Sequence, residues 1–105
     1  MLAYNANMKA KLVIERRFVY GDRDFVEAVV WEVPSPVHPS PHRFKYRLVY
    51  IVNGQRVVGF DNERGKGDHY HDGKTEVPYA FVSIDVLLDD FATLVETWRM
   101  RHGRP

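Results

Sequence analysis

The sequence predicts an α+β domain, in which an antiparallel meander sheet of four to five strands carries a C-terminal α-helix packed on one face (ββββα). Three observations lead to this prediction. Four segments are rich in the β-branched and aromatic residues that favour strands. Asn53-Gly54 joins two of these segments as a two-residue hairpin turn. The last apolar segment repeats at three and four residues, which is the period of a helix.

Length and composition limit the kinds of protein that this chain can be. Its 105 residues suit one domain with one core, predicted over residues 9–102 after a flexible tail of residues 1–8. The net charge of +1 gives no global attraction to nucleic acid or membranes, so any such affinity needs a local patch. Cysteine is absent, which fits a reducing cytoplasm and excludes thiol chemistry. No apolar run is long enough to span a membrane.

Turn and breaker residues separate the predicted strands. The first two strands, 11–20 and 25–33, flank the tight turn Gly21-Asp22-Arg23. The proline-rich segment 34–41 cannot continue a strand ladder or a helix and is predicted to be a surface connection. The third and fourth strands are 44–52 and 55–62, and a short fifth strand is allowed around residues 69–79.

The Asn53-Gly54 turn predicts a register, because a two-residue loop fixes which residues face each other. Apolar pairs lie near the turn, and charged or polar residues gather at the far end. The predicted far-end pairs are Leu48 with Gly59 and Tyr46 with Asp61 on one side, and Arg47 with Phe60 and Lys45 with Asn62 on the other.

A helix is predicted from residue 83 to about residue 101. Ser83 is the expected N-cap, and aspartates occupy the early turns, where they favour the helix dipole. Arg99, Arg101 and His102 lie near the end, where positive charge is favourable, and Gly103 is the expected stop. The apolar stripe consists of Ile84, Leu87, Leu88, Phe91, Leu94, Val95 and Trp98.

The segment Asp61-Asn62-Glu63-Arg64-Gly65-Lys66-Gly67-Asp68-His69-Tyr70-His71 is the strongest candidate for a functional site. It combines carboxylates, cations, two imidazoles and two glycines, and it directly follows a strand. Imidazoles can exchange protons near neutral pH, and RNA cleavage without a metal needs a base, an acid and a cation on the phosphate. Gly65 and Gly67 could let backbone N–H groups approach an anion. An ordinary polar loop would have a similar composition.

The same segment also permits a metal site. His69 and His71 point to the same side of an extended segment, and Asp61, Glu63 or Asp68 could complete a ligand shell. Separately, Arg43, Lys45 and Arg47 alternate with apolar residues along one strand. Such a strand could bind single-stranded nucleic acid, or it could be an edge strand kept soluble by charge.

The chain resembles the TumE family, small toxins of bacterial and archaeal toxin–antitoxin pairs. The resemblance covers about residues 9–98 and depends on the run Lys45 to Tyr50, on Asn53-Gly54, on Phe60 to His71 and on Pro78 to Phe81. It implies a toxin presumed to act on RNA, with an antitoxin partner that often carries a DNA-binding helix-turn-helix.

These lines together predict a cytoplasmic toxin that is a metal-independent endoribonuclease, without a cofactor. The alternatives are a non-enzymatic module that binds nucleic acid or protein, and a metal-dependent phosphodiesterase that uses the same loop. An exposed strand edge could serve a homodimer or the antitoxin. We predict catalytic roles for His69, His71, Arg47, Lys66 and Asp61, and substrate-binding roles for Lys45, Tyr46, Asn62, Arg64, Gly65, Gly67 and Asp68.

Overall fold

A six-stranded antiparallel sheet with one C-terminal helix makes up the computed structural model, which describes residues 9–104. The elements are β1 (Lys11–Val19), β2 (Asp24–Glu32), β3 (Phe44–Val52), β4 (Gln55–Glu63), β5 (Gly67–Asp72), β6 (Thr75–Pro78) and α1 (Ile84–Arg101). Strands that follow each other in sequence are neighbours in the sheet. The predicted α+β meander is therefore confirmed, and the predicted tail, residues 1–8, lies outside the described residues.

The strand count differs from the prediction of four to five. Residues 67–78 form two strands rather than one, because the chain reverses at Gly73, whose φ is +63°. Glycine adopts this left-handed conformation without the steric cost that a side chain brings. The reversal pairs His71 with Glu76, so a carboxylate of β6 lies beside the imidazoles of β5.

The predicted register of the β3–β4 hairpin is wrong beyond its first two pairs. Ile51 pairs with Arg56 as expected, but Tyr50 pairs with Val58, so Val57 is an extra residue in a β-bulge. A shift of one residue moves every following side chain to the other face of a strand. The shift buries Val58 and Phe60, which a bulge-free hairpin would leave on the face away from the core. Burial of these apolar side chains explains why the bulge is favoured.

The helix and its cap agree with the prediction. The Ser83 hydroxyl accepts a hydrogen bond from the N–H of Val86 at 3.1 Å. Leu87, Phe91 and Val95 are buried in one core cluster with side chains from β2, β3 and β4. Within residues 9–104, no helix is long and apolar enough to cross a membrane.

Arg99 does more than place a favourable positive charge at the end of the helix. It is only 5% exposed, and its Nη1 lies 2.5 Å from Asp24 Oδ2 and 2.9 Å from the Tyr50 hydroxyl. Its guanidinium also stacks over the Tyr20 ring at 3.7 Å. Arg99 therefore fixes the end of α1 to the start of β2.

Candidate functional site

The helix covers one side of the sheet and leaves the other side for the candidate site. Arg47 pairs with Asp61, and Asp61 pairs with His69, so the three residues form one row across β3, β4 and β5. Their neighbours Leu48 and Phe60 point the opposite way into the core. We call the side that carries Arg47, Asp61 and His69 the helix-free face. The bulge at residue 57 places Asp61 there.

His69 lies at the centre of the row and is only 4% exposed. Its Nδ1 lies 3.1 Å from the carbonyl oxygen of Gly67. Its Nε2 lies 2.6 Å from Asp61 Oδ1 and 3.3 Å from Glu76 Oε2. Neither Nε2 nor Asp61 Oδ1 makes a hydrogen bond of acceptable geometry with the described residues, although both atoms are buried.

His71 lies next to His69, as the two-residue spacing predicted. The ring centroids are 5.1 Å apart, and His71 Nε2 is 3.6 Å from Glu76 Oε2. Burial lowers the pKa of His71, and the positive charge of Arg56 lowers it further, while Asp61 and Glu76 oppose these effects. One ligand atom each from Asp61, His69 and His71 falls within 4.8 Å of the others, so these three residues could hold a metal ion.

The cations predicted for the site differ in whether they already contact acceptor groups of the protein. Lys66 Nζ is 2.5 Å from Glu76 Oε2, and this hydrogen bond raises the pKa of Lys66 and lowers that of Glu76. Lys45 donates to the backbone carbonyl of Asn62, and burial lowers its pKa. Arg47 and Arg64 are exposed, and no carboxylate of residues 9–104 forms an ion pair with either.

The glycines of the loop supply its turn. Gly65 and Gly67 have φ values of +86° and +77°, which side chains rarely adopt. The Gly65 N–H donates to the carbonyl of His38 at 2.8 Å, and the Lys66 N–H donates to the carbonyl of Glu63 at 3.1 Å. These two N–H groups are therefore already used, and the predicted approach of backbone donors to an anion is not available from them.

Asp68 lies on the other side of the sheet, in a buried polar cluster between the sheet and the segment 38–42. Its carboxylate accepts hydrogen bonds from the Ser40 hydroxyl at 2.5 Å, from His42 Nε2 at 2.7 Å and from the Tyr46 hydroxyl at 2.6 Å. Burial, and then the bond to Asp68, raise the pKa of Tyr46, so its hydroxyl remains a donor. Asp68 and Tyr46 thus connect parts of the fold, and the sheet separates their side chains from those of His69 and His71.

Asn62 is fully buried and also belongs to this cluster. Its Oδ1 accepts from the Tyr46 N–H at 3.1 Å, and its Nδ2 donates to the Phe44 carbonyl at 2.7 Å and to Ser40 Oγ at 3.2 Å. The side chain is therefore occupied by contacts that connect β3, β4 and the segment before β3, and the structure gives it no surface on the helix-free face.

Sequence reasoning missed three residues that matter for the geometry. Glu76 contacts both imidazoles and Lys66, and the signal that could have found it is the turn at Gly73 with its register of His71 opposite Glu76. Ser40 lies within the proline-rich segment 34–41 and His42 directly follows it, and this segment carries no pattern of its own. Only the tertiary fold brings them to Asp68.

Comparison with known protein families gives a match over most of the chain. A family model described as "Toxin TumE" matches residues 4–99, which is nearly the whole chain. No curated protein and no solved structure matches the chain. The matched range contains every strand and all but the last two residues of the helix, and with them the whole helix-free face. The chain therefore belongs to the TumE family of toxins.

Proposed function

We propose that this toxin of a toxin–antitoxin system acts in the cytoplasm as an endoribonuclease that cleaves the RNA backbone on the helix-free face. The observation that supports the proposal most is the row Arg47–Asp61–His69, with His71 and Lys66 at its side. An exposed guanidinium, a carboxylate and two imidazoles on neighbouring strands are the groups that phosphodiester cleavage uses.

The contacts suggest a division of roles within the site. Arg47 and Arg64 are exposed cations that can bind phosphate oxygens, and Lys66 can join them when it leaves Glu76. His69 is buried and both its nitrogens face protein groups, so it is poorly placed to meet a phosphate itself. We therefore assign activation of the attacking hydroxyl to Asp61, His69 and His71 as a unit, rather than to the two histidines as a separate acid and base.

Exposed arginines at the edge of the site favour binding of single-stranded nucleic acid. Arg47 is exposed opposite Asp61 of β4, and the exposed Arg43 lies just before β3, whereas Lys45 is half-buried against Asn62. Single-stranded nucleic acid is held by cations that follow its backbone, and each contact adds to the salt dependence of binding. We expect Arg47→Met to weaken RNA binding and to reduce the slope of log affinity against log salt by about 0.7.

Growth and cleavage assays test the proposal. His71→Ala and His69→Ala should each relieve growth arrest in cells that express the protein, and the purified variants should no longer shorten labelled RNA. His38→Ala is the matched control, because His38 is exposed and contacts the loop through its backbone carbonyl, which the substitution keeps. Full toxicity in both single variants would contradict the assignment.

A non-enzymatic binding module is the second candidate, and the exposed Arg43 and Arg47 favour it. Such a module would bind RNA without changing its length. It would lose binding on Arg47→Glu, while His71→Ala would leave both binding and toxicity intact. The same gel that measures RNA length therefore separates the two candidates.

A toxin of this type has a cognate antitoxin, which we propose to be a helix-turn-helix protein that covers the free edge of β1. Among residues 9–104, this edge strand pairs only with β2, and Phe18 and Val19 are 58% and 54% exposed. A strand edge with apolar side chains is a ready surface for another chain. A homodimer through the same edge is the competing occupant, and Phe18→Asp should then change the molar mass in light scattering without antitoxin present.

A further inference from the structure

The group of Asp61, His69 and His71 has the properties of a metal site. We infer that these three side chains bind one divalent transition-metal ion of the Zn²⁺ class, with solvent or an RNA phosphate oxygen completing its coordination. The catalytic consequence of this ion rests on the proposed function, whereas the binding does not.

The backbone fixes the tautomer of His69. Its Nδ1 lies 3.1 Å from the Gly67 carbonyl oxygen, which can only accept a hydrogen bond, so Nδ1 carries a proton. A neutral ring then has its lone pair on Nε2. A histidine that ligates a metal almost always donates its other N–H to a carbonyl or carboxylate in this way. The Gly67 carbonyl is positioned by the glycine turn, since Gly67 has a φ of +77°.

The lone pair of His69 Nε2 faces an acceptor instead of a donor. Asp61 Oδ1 is 2.6 Å away, both atoms are buried, and neither forms a hydrogen bond of acceptable geometry within the described residues. Glu76 Oε2 at 3.3 Å and Glu63 Oε1 at 3.8 Å add further negative charge around the same nitrogen. Buried polar atoms normally have partners, because an unpaired one has lost its hydration without a replacement. A cation bound between the two atoms would satisfy both.

His71 supplies the third ligand from the same strand. Ligand atoms around a tetrahedral zinc ion, with bonds of about 2.0 Å, are about 3.3 Å apart. The three ligand atoms lie within 4.8 Å of one another, so small side-chain rotations would bring them to that spacing. Asp61 and His69 would have to separate by about 0.7 Å from their present 2.6 Å.

Two imidazoles and a carboxylate select the class of ion. Imidazole favours Zn²⁺ and its transition-metal neighbours, whereas Mg²⁺ prefers oxygen ligands alone. Three protein ligands leave at least one position open, as in zinc sites that carry out chemistry. Glu76 lies beside both imidazoles but is held by Lys66, so it can stay outside the set of metal ligands.

Calorimetry on tag-free, chelator-treated protein tests the binding directly. We expect one Zn²⁺ per chain, and affinity at least about tenfold lower in Asp61→Asn, His69→Gln and His71→Gln. His38→Gln is the control, because it removes an exposed histidine outside the group. Absence of binding by the wild-type protein overturns the inference, and so does equal affinity in all of these variants.

Nitrogen NMR of the wild-type rings gives a test that needs no variant to fold. The spectrum without metal should show His69 with its proton on Nδ1, and one equivalent of Zn²⁺ should shift Nε2 of His69 and a nitrogen of His71. A proton on Nε2 without metal, or a shift confined to the exposed histidines, contradicts the inference.

Cleavage assays then separate this inference from the proposed function. Cleavage that is abolished by chelation and restored by Zn²⁺ or Mn²⁺ supports both. Zinc binding without RNA cleavage under any of these conditions removes the proposed function and leaves the metal site. Cleavage at full rate in excess chelator, by protein that binds no metal, removes the metal site and leaves the nuclease.

Discussion

Replacement of Asp68 by asparagine should lower stability without a direct effect on RNA binding. The Asp68 side chain is only 5% exposed, and its carboxylate accepts hydrogen bonds from Ser40, His42 and Tyr46. The ring of His42 accepts the Phe44 N–H on Nδ1, so its Nε2 carries the proton that it donates to Asp68. All three donors therefore depend on a buried negative charge.

The expected loss of stability follows from the hydrogen bonds that an asparagine amide can make in place of the carboxylate. In one orientation, the amide of the Asp68→Asn variant would keep its oxygen on His42 and Tyr46 and turn its NH₂ group to Ser40 Oγ, which can accept. Three charge-assisted bonds of about 1.5–3 kcal/mol then become neutral bonds of about 1 kcal/mol. Because neighbouring losses are not additive, we expect a decrease of about 2–3 kcal/mol in the free energy of unfolding.

Urea denaturation followed by circular dichroism measures this change. The urea midpoint should fall while the slope m stays constant, and Asp22→Asn in the exposed turn before β2 should stay within about 0.5 kcal/mol of the wild type. A stable Asp68→Asn variant that has lost RNA affinity would refute the structural role and restore the substrate-binding role predicted from the sequence.

Three further predictions concern single contacts. Arg99→Met should destabilise the protein by about 2–3 kcal/mol, because the buried Asp24 carboxylate loses its close cationic partner and keeps the Tyr50 hydroxyl at 2.7 Å and Arg104 at 3.5 Å. A loss below about 0.5 kcal/mol in urea denaturation would be inconsistent with this role of Arg99. Gly67→Ala should lower the free energy of unfolding by about 1–2 kcal/mol, since the φ of Gly67 is +77° and a Cβ would lie 3.2 Å from Pro39 Cγ. Gly21→Ala is the control and should be nearly neutral in the same assay, because a Cβ there would make only an ordinary contact and the φ is not positive. Lys66→Met removes an exposed ion pair with Glu76 and should leave the urea midpoint unchanged. Any loss of RNA binding in this variant then reflects a contact of Lys66 with RNA. A lowered midpoint would mean that the ion pair stabilises the fold.

Local patterns predicted most of the elements correctly. The helix over residues 84–101 was predictable because its apolar stripe, its Ser83 cap and Gly103 all lie within one segment. The Asn53-Gly54 hairpin was predictable for the same reason, since a two-residue turn depends on its own φ values. The neighbourhood of His69 and His71 also follows from a two-residue spacing on one strand. Their candidate roles remain predictions.

Contacts between residues far apart in the sequence determine the features that local patterns did not predict. The bulge at Val57 has no marker in the sequence, and it appears because burial of Val58 and Phe60 under the helix outweighs a regular ladder. That single shift brings Asp61 opposite Arg47, while the turn at residues 64–66 sets Asp61 opposite His69. Asp68 and Asn62 belong to the segment predicted as the functional site, yet their partners on the segment before β3 lie far away in the chain. Local sequence was enough to show which residues form the strands and the helix, because those preferences act over a few neighbouring positions. Which face each polar residue occupies depended on the assembled fold, because that choice is set by what the opposite face must bury.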